Sequence, residues 1–331
     1  MRAQKSKNDR LLLWGIIAIS LIGNVYFAYR AISANRRTAE VNPYEYSVES
    51  FKVFDPALLS HSETMQIPLC FEDVYGIAVD DDGYIYVSGD GTILIMDNEG
   101  ETKSSFKTDK TALSIDVSPD GLIYLGMSGQ IDLYSSAGAM ISRWDAPDEE
   151  SLFTSVKVAG EFVYAADAGK RIVRKFDANW NEVLEIAKKD ESKDIPGCII
   201  PGRFFDVDVD SDSFLWVVNP GRHSLENYTP EGDIRTSWGD YSMKIEGFCG
   251  CCNPSHISIL EDGSFITSEK GIPRVKVYNR HGGLESVVAG PDQFLEGTEG
   301  LDIATDSYGR VYILDPMKMA VRIFEKISPG V

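Results

Sequence analysis

Residues 75–97, YGIAVDDDGYIYVSGDGTILIMD, hold an apolar run, an Asp-Gly turn, a second apolar run, a short polar loop and a third alternating run. Alternation with period two and the wealth of Val, Ile and Tyr predict three antiparallel strands. Gly83 suits the turn because a residue without Cβ reaches positive φ freely. The pattern returns five times: LSIDVSPDGLIYLGMSGQIDLY (113–134), SVKVAGEFVYAADAGKRIVRKFD (155–177), FDVDVDSDSFLWVVNPGRHSLENY (205–228), HISILEDGSFITSEKGIPRVKVY (256–278) and LDIATDSYGRVYILDPMKMAVRIF (301–324). The turn residues Gly83, Gly121, Gly160, Ser213, Gly263 and Gly309 are spaced by 38, 39, 53, 50 and 46 residues.

A fourth strand follows most copies, as in residues 101–106 and 284–288. Four-stranded units at this period describe the blades of a β-propeller, because both faces of each sheet are apolar and only neighbouring blades can cover them. The reading is an all-β, six-bladed propeller over residues 63–331. The sixth copy ends after its third strand, so residues 63–69 (ETMQIPL) are expected to supply the fourth and close the ring, which leaves no free sheet edge.

Two copies carry a resemblance. GRVYILDPMKMAVRIFE and EFVYAADAGKRIVRKFD resemble the NHL repeat, in which a strand ending in an acidic residue is followed by a loop and an Arg-Val-x-Val-Phe-like strand. The resemblance covers residues 75–326. It implies an NHL-type propeller, a group of scaffolds, receptors, peptide-amidating lyases and relatives of lactonases. It implies too that acidic residues such as Asp167 and Asp315 hold loops by hydrogen bonds.

The rest of the chain bears on location. Residues 11–29, LLLWGIIAISLIGNVYFAY, run for 19 residues without a charge, about the length that spans a ~30 Å hydrocarbon core. They predict a transmembrane signal anchor after a basic leader at residues 1–10, with residues 30–62 as a tether. Arg2, Lys5, Lys7 and Arg10 precede the run and Arg30, Arg36 and Arg37 follow it, a slight bias towards an exported, periplasmic or extracellular propeller. Seven of the 32 Lys/Arg and one of the 51 Asp/Glu lie in residues 1–37, leaving 25 basic against 50 acidic groups and a formal charge of −25 in residues 38–331. Such a surface repels phosphate backbones and excludes nucleic acid as a partner.

Strand order assigns the faces. The Asp-Gly turns share the bottom, whereas the loops between second and third strands share the top with the connections between blades. The longest connections, residues 187–203 and 239–254, are therefore on the top, where repeat proteins usually bind. All five cysteines fall in top connections: Cys70, Cys198, and Cys249, Cys251 and Cys252 in GFCGCCNPSH. One reading is a disulfide, with Cys198 or Cys70 as partner, although five thiols cannot all pair within one chain. Another is a zinc or iron–sulfur site of Cys249, Cys251, Cys252 and His256, with Cys198 as a further sulfur; against it, Cys-x-Cys-Cys is not the spacing of known ribbons and ferredoxins. A reactive thiol is the third. The neighbouring loops add Asp90, Asn219, Arg222, His223, Glu269 and Lys270 as a binding face, and Glu269 and Lys270 are expected beside the cysteines.

The run DVDVDSD (206–212) alternates with Val and lacks the glycine of a calcium loop, so it reads as an ordinary strand. Four histidines are few for a zinc hydrolase. The favoured function is a membrane-anchored binding or scaffold module engaging a protein partner in an envelope or electron-transfer assembly. The alternative is a metal-dependent lyase or lactonase: gluconolactonase-like propellers hold calcium with Glu, Asn and Asp, a set that Glu269, Asn219 and Asp90 would imitate.

Overall fold

The six copies fold into six antiparallel four-stranded sheets in a computed structural model that describes residues 14, 15, 18, 20–26, 49–250 and 252–327. The first blade holds β2 (Val74–Val79), β3 (Ile85–Gly89), β4 (Thr92–Met96) and β5 (Thr102–Lys107). The second holds β6 (Ser114–Val117), β7 (Ile123–Gly126), β8 (Gln130–Tyr134) and β9 (Met140–Asp145). The third holds β10 (Phe153–Ala159), β11 (Phe162–Asp167), β12 (Ile172–Phe176) and β13 (Glu182–Ile186), and the fourth β14 (Val207–Val209), β15 (Leu215–Asn219), β16 (Ser224–Tyr228) and β17 (Ile234–Trp238). The fifth is β18 (His256–Ile259), β19 (Phe265–Glu269), β20 (Arg274–Tyr278) and β21 (Leu284–Ala289). The sixth combines β22 (Asp302–Thr305), β23 (Val311–Asp315) and β24 (Ala320–Lys326) with β1 (His61–Pro68), in the order β1-β24-β23-β22. β1 and β24 pair from His61↔Lys326 to Pro68↔Ala320. The last blade is thus made from both ends of the propeller.

Burial follows position in the blade. The second and third strands of the blades are buried at nearly every residue, and at all of them in the fourth and fifth blades, because a sheet covers each of their faces, whereas outer strands such as β5 are mainly exposed. A hydrophobic cluster sits at every blade interface, for example Trp216, Phe248, Phe265 and Tyr278 between the fourth and fifth blades. The bottom turns are built by aspartate: Asp80 Oδ1 accepts the N–H groups of Asp82 and Tyr84, and its Oδ2 accepts the Tyr86 hydroxyl at 2.8 Å. Asp210 with Trp216 and Asp306 with Tyr312 repeat the device. Ser213 takes the left-handed position in the fourth blade at φ 66°, where other blades have glycine.

The chain divides into two units, Met1–Val48 and Glu49–Val331. In the first, the described residues are helical, with the Asn24 amide donating to the Ser20 carbonyl at 2.8 Å. Among the described residues no helix is long and apolar enough to cross a membrane; much of the apolar run at 11–29, with the basic leader and most of the tether, lies outside them.

Candidate functional site

In five of the six blades the top face is fixed from below by a polar residue at or just after the end of the second strand. Asp90 accepts the N–H groups of Glu72 and Asp73 at 2.7 and 2.9 Å. Asp167 accepts that of Leu152 at 3.0 Å and pairs with Arg174. Asp315 accepts Met317 and Lys318 N–H and pairs with Arg322. Asn219 accepts the Ile199 N–H at 3.0 Å and donates to Glu226 at 2.8 Å. Asn219 and Glu269 are 0% and 1% exposed, so these two, expected on a binding face, are buried beneath it. A calcium set of Glu269, Asn219 and Asp90 is not assembled: each serves its own blade's connection.

Glu269 carries the most. Its carboxylate takes Arg274 at 2.7 Å, Lys276 at 2.7 Å and the Cys249 backbone N–H at 3.0 Å. The two cations hold its pKa below the carboxylate range against the opposing effect of burial, and burial brings Lys276 down to about 8. The Lys276 amine also donates to the carbonyls of Ile245 and Gly247 and to the Tyr278 hydroxyl, so the cysteine-bearing connection lies over a buried, hydrogen-bonded charge cluster. Asn253 completes the clamp by donating to Cys249 O and Lys270 O and accepting the Lys270 N–H at 2.9 Å. Cys249, Glu269 and Lys270 are therefore brought together, as the shared blade implies.

Burial and the Glu269 charge push the Cys249 thiol up to about 11, which keeps it protonated at neutral pH. Cys198 packs with Phe205 and Tyr228 between the third and fourth blades, its pKa raised by burial, whereas Cys249 belongs to the fifth blade's connection. Cys70 is exposed in the connection before the first blade. Cys252 is buried, and Cys251 lies outside the described residues. Lys270 directs its amine over the Phe204 ring, 4.7 Å from its centroid.

His256 meets two carboxylates. As the first residue of β18 it stands at the top end of the innermost strand, where Nδ1 lies 3.2 Å from Asp302 Oδ1 and 3.5 Å from Asp206 Oδ2. Burial alone would lower its pKa, but the two carboxylates outweigh it and hold the value at about 10. Both aspartates belong to the central channel, a cavity of about 590 Å³ lined by the innermost strands of all six blades.

The channel carboxylates share a role that the sequence reading missed. Asp116 accepts the Val158 N–H, Asp206 that of Ile257, Asp208 that of Ile259 and Asp302 that of Ile77, each at 2.8 to 2.9 Å and each across to the next blade. Lys157 sits between Asp208 at 3.0 Å and Asp116 at 4.0 Å, and despite burial their charges raise its pKa. The first and second blades meet without such a bond: a Cβ on Gly76 would lie 3.1 Å from Ser114 Cα. The signal was an aspartate entering the first strand of the second, fourth and sixth copies, in SIDV, FDVDV and LDIA.

No family model matches the chain, and no curated protein matches it in sequence. Solved structures match its shape. A streptogramin B lyase structure aligns with a TM-score of 0.57 at 12% identity, covering 82% of this chain and all (100%) of that one. The WD40 β-propeller domain of Doa1 aligns with a TM-score of 0.55 at 13% identity, over 77% of this chain and 79% of that chain. A protein of unknown function from Bacteroides caccae aligns at 0.53 and 12% identity, over 67% and 83%. The chain is a β-propeller. At these identities the likeness extends to the fold and not to the chemistry.

Proposed function

We propose that the protein is a binding module of NHL-like repeats, tethered to a membrane by residues 11–29 with the propeller outside the cytoplasm, that captures a protein partner on its top face. The observation that carries this reading is a pair of exposed apolar side chains on otherwise immobilised connections. Ile199 is 47% and Tyr241 62% exposed, one on each long connection. They flank the same turn of the fourth blade: the Gly221 N–H donates to Ile199 O at 2.9 Å, and the His223 ring lies 5.0 Å from that of Tyr241. Arg222 reaches from that turn to the carbonyls of Pro196 and Gly197. Buried Asn219 and Glu269 hold the connections from below, so little ordering entropy is lost when a partner packs against them.

A photo-crosslinking residue at position 241 of the full chain, in the cells that make it, tests the reading, with position 308 on the bottom face (83% exposed) as control. A discrete adduct from 241 alone supports it; no adduct, or equal adducts from both positions, overturns it. A reporter active only in an oxidising compartment, fused after Val331, is expected to be active; a stable, inactive fusion would reverse the orientation.

A further inference from the structure

We propose that Asp206, His256 and Asp302 form a binding site for one first-row divalent cation, such as Zn²⁺ or Mn²⁺, at the top end of the central channel. Neither the partner-binding reading nor the cysteine cluster is needed for it. One ligand atom from each residue lies within 4.8 Å of the others. The set of one imidazole and two carboxylates is of the kind that borderline first-row ions take.

What separates this trio from the protein's Arg and Lys ion pairs is its chemistry: an imidazole nitrogen can ligate an ion between two carboxylates. Buried pairs elsewhere run from 2.7 Å, Arg274–Glu269 and Lys276–Glu269, to 3.1 and 3.2 Å, Arg174–Asp167 and Arg322–Asp315. His256 Nδ1 stays at 3.2 and 3.5 Å from its two carboxylates although it is only 9% exposed. Metal–ligand bonds of about 2.0–2.2 Å place neighbouring ligand atoms about 3.0 to 3.5 Å apart in octahedral or tetrahedral geometry. The two distances fall in that range.

The ligands are oriented in advance. Asp206 Oδ1 accepts its own strand's Val207 N–H at 2.9 Å and Oδ2 that of Ile257 at 2.8 Å; Asp302 Oδ1 accepts Ile303 N–H and Oδ2 that of Ile77, both at 2.9 Å. Each oxygen keeps a lone pair for an ion, and the backbone bonds supply the outer support that metal-binding carboxylates need. Phe204 packs its ring edge against His256, 5.8 Å between centroids, and fixes the imidazole plane. The channel, which reaches both aspartates, offers an entry path and room for water in the remaining positions. As the ion enters, the Nδ1 proton leaves to solvent.

The full chain, stripped with chelator and titrated with Zn²⁺ or Mn²⁺ by calorimetry, is expected to bind one equivalent at micromolar affinity or better. His256→Gln touches none of the backbone bonds and should weaken binding at least tenfold. Asp302→Asn should do the same, and Asp120→Asn at the bottom mouth should leave it unchanged. X-ray absorption of the zinc form decides between this trio and the cysteine loop, with a nitrogen and oxygen shell expected. A sulfur shell, no binding up to millimolar metal, or full affinity in the folded His256→Gln and Asp302→Asn variants would each overturn the site.

Discussion

Asp206 accepts the backbone N–H of Ile257 at 2.8 Å, so a side chain entering the inner strand of the fourth blade fixes the inner strand of the fifth. Repeated by Asp116, Asp208 and Asp302, this bond accounts for acidic residues in strands that otherwise read as core. Innermost strands have no further strand on the channel side, and a carboxylate that reaches across satisfies an N–H of the next blade.

Asp208→Ala removes the acceptor of Ile259 N–H and the closer partner of Lys157 together. Leaving a largely buried donor unsatisfied costs about 1–3 kcal/mol, with more from the stranded ammonium. The midpoint of urea unfolding should fall accordingly, and Asp208→Asn, which keeps one acceptor oxygen, should lose less. An unchanged midpoint in the alanine variant would show that the bond is dispensable.

The blade period was legible because its signals are local: Asp-Gly turns, alternation and a missing last strand can all be read along the chain. The loop-holding role of Asp167 and Asp315 was implied by the resemblance to the NHL repeat, and both side chains do accept loop N–H groups. The pairing of His256 was not legible: it follows the cysteines closely in sequence, yet its partners Asp206 and Asp302 come from two other blades. Glu269 looked accessible as part of a loop. It is buried because the register Glu269↔Arg274, with Lys276 two residues on, closes a charge cluster within one sheet.

Glu269→Gln tests that cluster. Neutralising the one carboxylate that, among the described residues, pairs with both Arg274 and Lys276 leaves buried cations without compensation, a loss of about 3–5 kcal/mol. The Cys249 N–H loses its anionic acceptor as well, so maleimide labelling of Cys249, mapped by mass spectrometry, should accelerate. Wild-type labelling kinetics in a destabilised variant would mean that Asn253 alone holds the connection.

His61 makes the closing strand sensitive to acid. Burial, helped by Lys326, lowers its pKa from 6.5 to about 4, so on acidification the unfolded chain takes up the proton first. Stability from this residue is complete above about pH 6.5, falls as pH drops towards 4 and levels off below, a change of up to about 3 kcal/mol. Unfolding midpoints at pH 7.5 and 4.5 should therefore differ less for His61→Gln than for wild type. Equal differences in the two proteins would assign the acid sensitivity to other groups.

The same strand carries the ring's closure. Glu63 in β1 binds Arg322 of β24 through both oxygens, at 2.9 and 2.6 Å, and Arg322 is 1% exposed. Removing residues 1–69 would take away the β1 ladder and this carboxylate, baring the edge of β24 and leaving the buried guanidinium with Asp315. An unpaired edge beside an apolar blade face is a template for pairing with another chain. Protein lacking residues 1–69 should therefore elute as aggregates in size-exclusion chromatography, whereas protein lacking only residues 1–37 should remain soluble and fold. Retention of the native elution position and melting temperature by the shorter protein would show that blade six stands on three strands.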